Sequence, residues 1–162
     1  MQATTINVTT MMKTLVDDAQ ANAAFADIAR ASPGAIAGLS HSQAKQVMDA
    51  LDVKSIADLA TCRHVLWAQA ITTLAKQERT DLPNPGLADI LDPSWQKKRL
   101  RDLVKASPSV LAGWSEKEAK LLGEALNVRT IADLATNTFI LKAQVIAHLA
   151  TFAKIESLRA AA

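Results

Sequence analysis

Apolar residues recur along most of the chain at intervals of three and four, the period of a helix with one buried face. Phe25, Ile28 and Ala29 form one such run, and Leu100, Leu103 and Val104 another. A longer run takes in Val65, Ala68, Ile71, Leu74 and Ala75, and it is echoed by Ile140, Ala143, Ile146, Leu149 and Ala150. The echo is general. Ile56-Ala57-Asp58-Leu59-Ala60-Thr61 returns unchanged as Ile131-Ala132-Asp133-Leu134-Ala135-Thr136, an offset of 75 positions (131 − 56). Aligning 28–77 with 103–152 needs no gap, and 23 of the 50 positions are identical. Identity at that level over an ungapped stretch points to duplication, so both copies must share one fold.

Polar residues punctuate the apolar runs in the same way twice. Asp17 and Asp92 are placed to start a first helix, with Pro93 at its first position, and that helix runs to about Ala31 and Ala106. Ser32-Pro33 and Ser107-Pro108 end it, because the residue before proline is pushed out of the α region. A short turn carrying Ile36 or Leu111 closes at Gly38 or Gly113. Ser40 with Gln43, and Ser115 with Glu118, read as capping boxes that open a second helix through Leu51 and Leu126. Asp52 and Asn127 follow, and both residue types tolerate the left-handed conformation that ends a helix. Ser55 and Thr130 then cap the repeated Ile-Ala-Asp-Leu-Ala segment, with Asp58 and Asp133 in its first turn. Thr61 and Thr136 are expected to cap the last helix.

These signals divide the chain into an N-terminal tail over 1–14, a first repeat over 15–79 and a linker over 80–89. The second repeat covers 90–155, and a helix end or tail covers 156–162. Asp81-Leu82-Pro83-Asn84-Pro85-Gly86 gives the linker two prolines, which make a fairly stiff spacer. The expected class is all-α.

Composition narrows the picture further. Hydrophobic residues make up 49% of the 162 positions but aromatic ones only 4%, and much of the apolar content is alanine, which suits close-packed helices. A formal net charge of +2 permits nucleic-acid binding without calling for it. One cysteine, Cys62, excludes an intramolecular disulfide framework and fits a reducing compartment. Met1 to Thr14 shows no secretory signal pattern, and no apolar run is read as approaching the roughly 20 residues of a membrane helix. The expectation is a soluble, cytoplasmic protein without membrane contact.

In the second copy, Gly113-Trp114-Ser115, the helix Ala119 to Leu126, Val128, Thr130-Ile131 and Asp133-Leu134 follow one another in a distinctive order. This order resembles the helix-hairpin-helix superfamily, in the variants found in the N-terminal domain of RecA-like recombinases and the C-terminal domain of the bacterial RNA polymerase α subunit. The match covers about 25 residues of each copy. The resemblance implies two tandem units of four to five short helices each. In many members of the superfamily, backbone N–H groups of a glycine-rich hairpin hold a DNA phosphate. Here Ser40 and Ser115 stand at the family's second hairpin glycine, and Asp52 in a neighbouring turn would repel a phosphate. Other members use the unit for protein contact.

Two sets of candidate site residues follow. Nucleic-acid contact would fall to the hairpin glycines Gly38 and Gly113 and to Lys45, Lys54, Lys120 and Arg129 beside them. The basic run Lys97, Lys98, Arg99 and Arg101 would join them; its counterparts, Asn22, Ala23, Ala24 and Ala26, are uncharged. Protein contact would fall where the copies disagree. Trp67 aligns with Lys142, Leu121 with Gln46 and Phe152 with Gln77, so these positions are expected to face solvent, a partner or a seam between the copies. Exposed aromatic residues are enriched among binding hot spots, and Trp67 leads this set. Trp114, which replaces Leu39, is expected in the core.

Chemistry finds little support in the sequence. Cys62 and His64 are two apart, but Asn137 and Phe139 take their places in the second copy, and no further pair completes a metal site. His41 and His148 stand alone, and no phosphate-binding glycine loop or carboxylate pair occurs. The reading is therefore a non-enzymatic adaptor or assembly subunit that uses no cofactor and no metal. Its partner would be a protein, with self-association possible in principle, and nucleic-acid binding is the alternative.

Overall fold

In the computed structural model, residues 14–79 and 87–162 are described, so most of the tail and of the linker fall outside the described residues. The chain is all-α, with no strand among those residues. Helices α1 (Phe25–Arg30), α2 (His41–Leu51), α3 (Ile56–Ala60) and α4 (Arg63–Ala75) belong to the first copy. Helices α5 (Leu100–Leu103), α6 (Glu116–Leu126), α7 (Ile131–Thr136) and α8 (Thr138–Ala161) follow at the same offset in the second.

Local chemistry accounts for these elements. Ser40 and Gln43 form a reciprocal capping box at α2, and Ser115 and Glu118 form one at α6. Ser55 with Asp58, and Thr130 with Asp133, do the same at α3 and α7. Each box satisfies amides that a helix start would otherwise leave unpaired. Asp52 (φ 52) and Asn127 (φ 57) end α2 and α6 in the left-handed conformation, and Gly38 and Gly113 also have positive φ. Short 3-10 turns at Pro33–Ala35 and Pro108–Val110 begin under Ser32 and Ser107 caps. Isolated antiparallel bridges, Val16 to Ile36 and Leu91 to Leu111, tie the start of each copy to its turn.

Two expectations are corrected. The first helix is not continuous: a 3-10 turn (Asp18–Gln20 or Pro93–Trp95) precedes a short α-helix, and neither Asp17 nor Asp92 makes a side-chain cap bond. Ala24 and Arg99 have extended φ/ψ, which breaks the helix there. Thr61 and Thr136 do not cap the last helices either. Their hydroxyls donate back to the Ala57 and Ala132 carbonyls, and the caps fall one residue later. Asn137 accepts from the Phe139 and Ile140 amides, whereas Cys62 makes no such bond.

The two copies share one core. Helix α2 packs on α6, and each last helix packs on the other copy: α4 on α5 and α7, α8 on α1 and α3. Ile28, Ile56, Leu59 and Ile71 are fully buried in the same cluster as Leu103, Leu122, Ile131 and Ile140. The exchange is reciprocal to the level of single bonds. Gln69 donates to the Ala135 carbonyl, its counterpart Gln144 donates to Ala60, and the two amides bond to each other at 2.8 Å. Equivalent residues therefore meet across an approximate two-fold relation that passes between them.

Candidate functional site

Trp114 is buried, and its indole N–H donates to the Ala50 carbonyl at 2.8 Å. His64 stacks on it with ring centroids 5.2 Å apart and meets Trp67 edge-on at 5.4 Å. Trp67 itself is half-buried against the core, with the Arg63 guanidinium over its ring. His64 Nε2 lies 3.2 Å from the Ala112 carbonyl, and burial is the main cause holding this imidazole's pKa below the ordinary value. At the equivalent place, Lys142 donates to the Ala37 carbonyl and lies beside the Phe139 ring. The last helix of each copy thus braces the other copy's turn. Trp67 sits in that seam, and half-buried Leu121 also packs on the core.

The hairpin residues are arranged for self-capping. The Ser40 amide donates to Gln43 and the Ser115 amide to the Glu118 carboxylate. That amide and the Ser115 hydroxyl hold the Glu118 carboxyl below its usual pKa. The Lys54 and Ser55 amides donate to Asp58, and the Arg129 and Thr130 amides to Asp133. The amides at these helix starts are engaged by the chain's own side chains, several of them anionic. Gly38 and Gly113 are exposed, and the Phe139 ring lies beside Gly38. Lys45, Lys54, Lys120 and Arg129 are exposed, and Lys120 and Arg129 share a groove with Glu116 and Glu124.

The basic run at the start of α5 is partly neutralised. Glu78 accepts from the Leu100 and Arg101 amides and from the Arg101 guanidinium at 3.2 Å, and Arg99 lies 3.9 Å away. Burial works to raise the Glu78 carboxyl, but these hydrogen bonds outweigh it and set the pKa below the ordinary value. Lys98 lies near the Trp95 ring, and Lys97 is exposed. No periodicity signals a carboxylate that caps a helix more than twenty residues on, so the sequence reading missed Glu78.

Phe152 belongs to a different surface. Large exposed hydrophobic side chains, among the described residues, all lie on the last helices: Leu66 and Leu74 on α4, and Leu141, Val145, Phe152, Ile155 and Leu158 on α8. Phe152 is 61% exposed and Leu158 64%. Helix α8 is long enough, with a mean hydropathy of 1.2, to match a membrane span by length and composition, a run the sequence reading did not expect. Ile140, Ala143 and Ile146 on its inner face are buried in the shared core. Its first half is therefore a core helix, and its last turns project beyond the core.

Comparison with known protein families, with curated proteins and with solved structures finds no match to this chain. Among the described residues no group of three or more His, Cys, Asp or Glu side chains is arranged to hold a metal ion.

Proposed function

We propose that the chain is a non-enzymatic protein-interaction module, an adaptor or assembly subunit built from two units resembling the helix-hairpin-helix superfamily. The observation that carries this reading is the confinement of exposed large hydrophobic residues to one pair of helices. Scattered surface leucines need no explanation, but exposed large apolar residues concentrated on the last helices, most of them along α8, are the mark of a contact surface. Phe152 is its central aromatic anchor. Trp67 and Leu121 are half-buried against the core and contribute less to such a face. The nucleic-acid alternative is disfavoured because the hairpin amides and two arginines of the basic run already have internal acidic or polar partners.

The test is affinity capture on the tagged full-length chain from its native cell, with and without nuclease, beside the variant Phe152→Glu. Protein partners should survive nuclease and be lost with Phe152→Glu, while the variant's circular dichroism and melting temperature stay unchanged. Partners that vanish with nuclease and persist with Phe152→Glu would instead support the nucleic-acid reading.

A further inference from the structure

A small cavity lies in the second copy, away from the last helices. Its volume is about 360 Å³, near the lower end of the roughly 300–1,000 Å³ range of ligand sites. Its walls include Trp95 from the Pro93–Trp95 turn, Trp114, Asp92, and Glu116 at the start of α6. None of the residues lining it belongs to α4 or α8, so it is independent of the interaction face argued above. Trp114 is fixed by its bond to Ala50 and its stack on His64. Ser109, itself only 8% exposed, has its hydroxyl 3.2 Å from Glu116 Oε1. At the places of Trp95, Trp114 and Glu116 the first copy has Gln20, Leu39 and His41. The two indoles and one of the carboxylates are therefore particular to the second copy.

Charge indicates what would fit. Asp92 is half-buried, and its side chain makes no cap bond to the turn it precedes. Among the described residues, neither Asp92 nor Glu116 takes part in an ion pair. Lys117, next to Glu116 in sequence, lines the neighbouring groove with Lys120 rather than this cavity. Unpaired carboxylates beside indole rings favour a cation, which the ring faces attract through their quadrupole and the carboxylates through charge. Trp95 already shows this attraction: Lys98 Nζ lies 5.9 Å from its ring centroid, without lining the cavity. Elsewhere in the chain the Arg63 guanidinium lies 5.6 Å from the Trp67 centroid. Asp92 and Glu116 come from separate elements. A planar guanidinium can stack on an indole while its edges donate to acceptors on more than one side, which a compact ammonium does less well.

We infer that this cavity binds the guanidinium of an arginine side chain presented by a partner peptide, stacked on Trp95 and hydrogen-bonded to Asp92 and Glu116. Trp114 supplies a rigid wall, and Ser109 holds the Glu116 carboxylate in place. Free arginine carries the same group, but its α-carboxylate would be drawn toward Asp92 and Glu116, so the peptide form is the better match.

The experiment follows the Trp95 indole N–H by nuclear magnetic resonance while the full-length chain is titrated with a blocked Gly-Arg-Gly peptide. The comparison probes are blocked Gly-Lys-Gly, blocked Gly-Glu-Gly and free arginine. The arginine peptide should move the Trp95 signal to saturation. The lysine peptide and free arginine should each bind at least about threefold more weakly, and the glutamate peptide should not bind. Asp92→Asn and Glu116→Gln should each weaken the arginine peptide about threefold without moving the melting temperature, and added salt should weaken it further. Trp95→Gln installs the residue that holds this place in the first copy. Followed through the Trp114 indole signal, it should weaken the arginine peptide at least about fivefold. Equal binding of the arginine and lysine peptides, unchanged affinity in both Asp92→Asn and Glu116→Gln, or a Trp95 signal that no peptide moves would overturn the inference. Free arginine binding as tightly as the arginine peptide would overturn the assignment to a partner chain.

Discussion

Helices α4 and α8 hold equivalent places and bury equivalent residues: Val65 and Ile140, Ala68 and Ala143, Ile71 and Ile146. Their outer faces differ. Where α8 has Val145 and His148, α4 has Ala70 and Thr73, and the counterpart of Phe152, Gln77, already lies past the end of α4. Their ends differ too, since α4 stops at Ala75 and α8 continues to Ala161. Duplication gives both helices the same inward duty, and their outward positions diverge without disturbing it. Differences on the outer faces of these helices are therefore a guide to contact, whereas differences in the seam, such as Trp114 for Leu39, belong to packing.

The shared face can be challenged first. Ile71→Ala and Ile146→Ala each empty a fully buried site and should each cost about 2–5 kcal/mol of unfolding free energy, read from urea denaturation. Similar losses from the two variants, with a single cooperative transition, would show that both last helices serve one core. Two separate transitions would mean that the copies unfold independently. A smaller difference lies at the caps. Asn137→Ala removes the side chain that caps α8 and should cost ~1 kcal/mol, measured in the same way. The cap position of α4, Cys62, makes no such bond, so α4 owes nothing to a cap there.

The smallest effect is one of pH. The pKa of His64 is depressed in the folded chain, chiefly by burial, so the native state disfavours its charged form. Stability from this source is fully present above the unfolded value near 6.5 and is lost as pH falls toward the folded value. Denaturant midpoints at decreasing pH below neutrality should show this decline. His64→Phe, which installs the residue of the second copy, should flatten it. An unchanged slope in the variant would assign the pH dependence elsewhere.

Much of the local structure was legible because it depends on residues three or four apart. Ser40 and Gln43, Thr130 and Asp133, Asp52 and Asn127 each announce their role in a few letters, and the structure places them accordingly. The threonines misled because a Thr hydroxyl that bonds the carbonyl four residues back competes with capping the next helix. The exchange of last helices was not legible. It rests on contacts such as Gln69 with the Ala135 carbonyl and Gln144 with that of Ala60, which lie 66 and 84 residues apart in sequence. The candidate face was half legible. Misaligned Phe152 pointed to it, whereas Trp67 seemed exposed only because its counterpart is lysine. Lys142 resolves that position by donating to Ala37, a bond a tryptophan cannot copy with the same reach.

Because each last helix is roofed by the opposite copy, the order of synthesis acquires a meaning. When α4 leaves the ribosome, the surfaces it needs on α5 and α7 have not yet been made, and α1 and α3 must wait for α8. From Ala75 to Ile146 is 71 residues (146 − 75), or roughly 4–14 s at ordinary elongation rates. Through that interval the nascent first half presents Ile28, Ile56 and Ile71 without their final cover. The chain is therefore most vulnerable to chaperone capture, proteolysis and mispairing with a neighbouring nascent copy before its second half is complete.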